Sequence, residues 1–111
     1  MNRVAMSPAA SALLRALICR ADVSHDRILL TDVQSVEWQS LTFSGERHQI
    51  QLRVPPPQSL SVVERICDGL DEAEFSIPGF IVADIGLASP PQRRSDGFMD
   101  LAIEALTIID D

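Results

Sequence analysis

The chain has 111 residues, 46% of them apolar, and carries a formal net charge of −7. That length is enough for one domain with its own core, and no apolar run approaches the roughly 18 residues that a membrane span needs. The excess charge is confined to one half: residues 57–111 hold eleven acids against three arginines, while residues 1–56 hold five against six. An acidic surface repels phosphate backbones, which argues against nucleic acid as a ligand and leaves a basic protein as a possible partner for the C-terminal half.

Residues 1–6 read as a loose arm, and residues 7–111 as one domain. The opening apolar stretch is interrupted by Arg15 and Arg20, so it lacks the unbroken core of a secretory signal and predicts a cytoplasmic protein. Ser7-Pro8 has the pattern of an N-cap followed by proline at the first helical position. Leu13, Leu14, Leu17, Ile18 and Ala21 then recur at helical spacing and predict a first helix to about Arg20. After a connection from Ala21 to Asp26, Leu29, Val33 and Val36 fit a helical turn, but length and the β-branched run from Ile28 favour an extended lead into a strand that starts near Val36.

Val36–Val54 carries a hairpin signal. His48, Ile50, Leu52 and Val54 alternate with Arg47, Gln49, Gln51 and Arg53, which is the period of a half-buried strand. Gly45-Glu46 suits a two-residue turn, because Gly supplies the positive φ such a turn requires. That turn would set Phe43 opposite His48 and Leu41 opposite Ile50 on an inner face. Trp38 would lie opposite Arg53 on an outer one.

Pro55, Pro56 and Pro57 end this strand, since they donate no ladder hydrogen bonds. Ser61 and Glu64 have the spacing of a capping box for a second helix, whose apolar face runs through Val63, Ile66, Cys67 and Leu70. Gly69 weakens that helix or ends it early. Ile81 to Ala88 alternates and predicts a third strand, with Val82 outward. A turn-rich loop spans Ser89–Gly97. The final stretch fits either period, but Ile103, Thr107, Ile108 and Ile109 are β-branched and favour a strand.

The order is α-β-β-α-β-β. It predicts an α+β two-layer sandwich: a four-stranded, largely antiparallel sheet with both helices on one face, in topology a permuted ferredoxin-like arrangement.

No pattern of residues announces a reaction. Ser24-His25-Asp26 are adjacent, yet triad members must converge from different directions, so they read as a polar turn. Cys19, Cys67, His25 and His48 lack the paired spacing of a zinc site, and no metal or cofactor is expected. The two cysteines fit buried, reduced thiols on helix stripes. Asp68, Asp71, Glu72 and Glu74 gather at the end of the second helix, where the helix dipole disfavours them. Two functional expectations follow. The first is a binding or assembly module that forms a homodimer through the uncovered sheet face, with Trp38 and Arg53 as interface residues. The second is a small-molecule enzyme that uses His48, or the Asp84 and Glu104 pair, for acid–base chemistry.

Overall fold

A computed structural model describes residues 6–24 and 27–110. Two helices, α1 (Pro8–Ala21) and α2 (Ser59–Cys67), cover one face of an antiparallel sheet. Its strands are β1 (Leu29–Gln39), β2 (Ser44–Val54), β3 (Phe80–Leu87), β4 (Gln92–Arg93) and β5 (Met99–Ile109). Strand order across the sheet is β1-β2-β5-β3, and the two-residue β4 pairs with β5. Asp100 and Met99 pair with β2 on one side and β4 on the other, so β4 lies on the same flank of β5 as β3. The sheet thus has five strands rather than four, in the expected two-layer α+β arrangement. Among the described residues no helix is long and apolar enough to cross a membrane.

α1 forms where the sequence predicts it. The Ser7 hydroxyl accepts from the Ala10 amide at 3.2 Å, Pro8 opens the helix, and Asp22 closes it in the left-handed conformation. α2 departs from expectation. It starts two residues before Ser61, and no capping box forms: Ser61 instead donates to the Gln58 carbonyl and Ser59 to the Gly97 carbonyl. The second bond ties the start of α2 to the turn before β5. Gly69, at φ 64°, does end the helix, and Leu70–Glu72 follow as a short 3-10 turn.

The helix ends are tied to each other. Arg20 of α1 donates to the carbonyls of Ile66 and Asp68, and Arg65 of α2 donates to the carbonyl of Ala21. Each guanidinium satisfies carbonyls that the other helix leaves unpaired. This explains why an acidic cluster is tolerated just beyond α2: the terminus already has a cation against it.

The hairpin register differs from the one the turn residues suggest. Ser35 pairs with His48, Val33 with Ile50 and Trp38 with Gly45, and Ser40–Phe43 form the loop. The Ser40 hydroxyl accepts from the amides of Thr42 and Phe43, so serine chemistry closes this turn. Gly45 is needed for another reason. A Cβ there would lie 1.9 Å from the Thr107 carbonyl oxygen on β5, so only glycine allows this approach. The shift of register is even, and each residue therefore keeps its predicted face. Leu41 and Phe43 do not reach the core, however. They sit at the hairpin tip, 105% and 51% exposed.

The core lies between helices and sheet. Ile50 pairs with Ile103 and Leu52 with Leu101, beneath Leu13, Leu17, Val62 and Ile66. The final stretch is the strand β5, and it occupies the middle of the sheet rather than an edge. Both its neighbours then contribute to one continuous apolar face.

Candidate functional site

The helices leave the other sheet face uncovered, and the register lays its side chains out in rows. One row reads Trp38, Gly45, Ile108, Ile81 across β1, β2, β5 and β3. The next reads Val36, Arg47, Leu106, Asp84, and the third reads Gln34, Gln49, Glu104, Gly86. Five apolar side chains therefore share two adjacent rows at one end of this face. Val36 is 64% exposed and Ile81 45%, while Trp38, Leu106 and Ile108 are half-buried.

Ile81 is there because β3 slips in phase. A bulge between Val82 and Asp84 makes Ala83 the extra residue. Strict alternation predicts Val82 on the outer face, but the bulge turns it toward the helices, where it packs against the core. Ile81 takes the outer face instead, and Asp84 keeps the place that alternation gives it. No signal in the sequence marks this bulge.

The opposite end of the outer face is built differently. Arg53 and Asp100 form an ion pair across β2 and β5, Nε to Oδ1 at 2.7 Å. That hydrogen bond holds the Asp100 carboxyl below the usual carboxylate range, with the charge of Arg94 adding to it. Ser89 and Pro90 project beside this pair and enclose a hollow of about 210 Å³ with Thr31, Gln51 and Gln92. The predicted opposition of Trp38 and Arg53 does not occur. Gly45 faces Trp38, Leu29 faces Arg53, and the two predicted interface residues stand at opposite ends of the face. The even register shift kept both on the right face and misplaced them along it.

His48 lies on the helix side, 1% exposed. Its Nδ1 is 2.7 Å from Ser35 Oγ and its Nε2 is 2.8 Å from Thr107 Oγ1, so the network crosses three strands. Thr107 Oγ1 has no other hydrogen-bond partner among the described residues, which assigns the tautomer. For the buried hydroxyl proton to be satisfied, Thr107 must donate to Nε2. Nδ1 then carries the ring proton and donates to Ser35. Burial lowers the imidazole pKa, against a smaller upward pull from Glu46. A neutral ring with both nitrogens engaged offers neither a base for Ser35 nor a free metal ligand.

Asp84 and Glu104 share the outer face as diagonal neighbours, both exposed, with Gly86 opposite Glu104. Neither lines the hollow beside the Arg53–Asp100 pair. Among those residues no group of three or more potential ligands gathers for a metal ion. Ser24 is exposed, and His25 and Asp26 lie outside the described residues. Both cysteines are free thiols, but Cys19 is exposed rather than buried, and Cys67 is half-buried. The apolar stripe of α1 runs beside Cys19, not through it. Burial raises the Cys67 pKa, partly offset by the charge of Arg20.

Comparison with models of known protein families finds no match to this chain, and comparison with curated proteins finds none either.

Proposed function

We propose that this chain is a binding or assembly module that associates with a second copy of itself through the Trp38 end of the outer sheet face. The observation that carries this is the pair of apolar rows, Val36 and Leu106, then Trp38, Ile108 and Ile81, in which Val36 is 64% and Ile81 45% exposed. Contiguous exposed apolar surface on a small domain marks an interaction site. Trp38 is the largest side chain in these rows, and tryptophan is the residue type that most often anchors an interface. Closed twofold dimers are the commonest assembly of soluble homo-oligomers.

Arg53 has a smaller part in this account than the sequence suggests. Its guanidinium is committed to Asp100, at the end of the face beside the Ser89–Pro90 projection. The acidic surface after α2 remains the place where a basic partner would bind a pre-formed dimer. The acid–base alternative draws on His48 or on Asp84 and Glu104, and the first is locked in the core while the others stand on open surface.

Sedimentation across a dilution series tests the proposal. Truncating an interface tryptophan costs about 2 kcal/mol or more of binding, which is roughly a thirtyfold rise in Kd. Trp38→Ala is expected to shift dimer toward monomer while its circular dichroism stays that of the wild type. A mutant that associates as tightly as the wild type removes Trp38 as the anchor. Trp38 is the one tryptophan and the chain has no tyrosine, so fluorescence emission gives a second readout. It is expected to shift to the red as the wild-type protein is diluted.

A further inference from the structure

We propose that the second copy docks about a twofold axis that runs along β5, between the two outer faces, and sets Arg47 of each copy against Asp84 of the other. This rests on the self-association proposed above. The rows of the outer face supply the argument. Arg47 and Asp84 stand on either side of Leu106, Gly45 and Ile81 on either side of Ile108, and Gln49 and Gly86 on either side of Glu104. A twofold along β5 exchanges the two flanks of every row.

The flanks of each row are complementary when the row is reversed. In the first, the cation meets the carboxylate. In the second, Ile81 of each copy lies over the Gly45 backbone of the other, where no side chain competes with it. In the third, Gln49 meets the hollow at Gly86. Leu106 and Ile108 lie on the axis and meet their own copies, as an isologous interface requires.

Within one chain the Arg47 and Asp84 backbones are two strand spacings apart, about 10 Å, and neither side chain has an ion pair among the described residues. Face-to-face sheets keep their strands within about 30° of parallel, and this axis preserves strand direction. An axis across the strands would instead set Arg47 against Gly45 and leave both charges unanswered. Along β5, Glu104 and Asp100 each meet their own copy, and of the two only Asp100 has an arginine beside it in its own chain. β1 has no counterpart on the far flank, so Trp38 reaches past the partner sheet and lies beside Ile81 of the second copy.

Charge reversal tests the pairing in trans. Arg47 and Asp84 are exposed, so Arg47→Glu and Asp84→Arg are expected to fold as the wild type does. Each variant alone places like charges together twice and is expected to associate at least about tenfold more weakly. Mixed in equal amounts, the two are expected to form a heterodimer near wild-type affinity, because both contacts then join opposite charges. An internal Arg47–Asp84 contact would give no such rescue. Glu104→Gln is expected to tighten the wild-type dimer severalfold and gives a second readout should a reversal fail to fold. A wild-type dimer whose reversed variants do not rescue each other, or that Glu104→Gln leaves unchanged or weaker, overturns this axis while the Trp38 interface stands. A wild-type protein that is monomeric at all concentrations overturns both.

Discussion

At the scale of residues, His48 shows how a polar side chain is made to behave as part of the core. Its ring is closed at both ends by hydroxyls on neighbouring strands, at 2.7 and 2.8 Å. Protonation would place a second N–H against Thr107, whose own buried proton would then lose its acceptor. The unfolded ring titrates near 6.5, and burial sets the folded value lower. Between those two values the unfolded chain binds more protons, so stability falls as pH drops below about 6.5 and levels off below the folded value. The denaturation midpoint is expected to fall between about pH 7 and pH 5. In His48→Gln that segment is expected to be flat, and a slope equal to the wild type's would contradict the assignment. The carboxylate of Asp100 acts in a different window, because its lowered pKa matters only below the ordinary aspartate value of 3.8. Thr107→Val removes the donor to a buried acceptor and is expected to cost about 1–3 kcal/mol, measured by urea unfolding. The thiols give a simpler check. Cys19 is expected to react first with a thiol reagent on the native protein, and Cys67 more slowly, because it is half-buried and its pKa is raised.

At the scale of elements, the β2–β5 pair forms the middle of the sheet, and Gly45 is a point of close approach between its strands. Gly45→Ala puts a methyl group where the Thr107 carbonyl oxygen lies at 1.9 Å. The strands must part, and a loss of about 3 kcal/mol is expected, at the upper end of what overpacking costs. A urea midpoint unchanged from wild type would contradict the register. The same glycine shows what was legible in the sequence. Alternation over His48–Val54 marks one central strand and its inner face, because burial on one side enforces a period of two, whereas 99–109 fits either period and its β-branched residues favour the strand. A glycine, however, signals only that the backbone needs freedom or room, and a turn and a close approach of strands require it equally. The hairpin therefore came out eight residues out of register, yet its faces survived because the error was even. Ala83 had no such protection. A bulge of one residue inverts everything before it, which exchanged Ile81 for Val82 on the outer face. The crossed arginines were likewise invisible, since Arg20 and Ile66 are 46 residues apart and no periodicity links them. Each guanidinium to carbonyl bond is expected to contribute about 1–2 kcal/mol, so Arg20→Met and Arg65→Met should each lower the urea midpoint measurably.

At the scale of the whole molecule, two layers leave one sheet face with nothing over it, and its two ends are finished differently. One carries the Arg53–Asp100 ion pair beside the Ser89–Pro90 projection, and the other carries Val36, Trp38, Ile81, Leu106 and Ile108. A solvated polar face would need no partner, as the first end shows. The apolar end is the feature on which the proposed association rests, and Arg47 and Asp84 flank Leu106 in one of its two rows. The most direct test is the mass of the wild-type protein in solution, measured by light scattering over a wide range of concentration. The expected result is a mass near twice 12.2 kDa at high concentration that falls toward 12.2 kDa on dilution. A mass of 12.2 kDa at every concentration would contradict it.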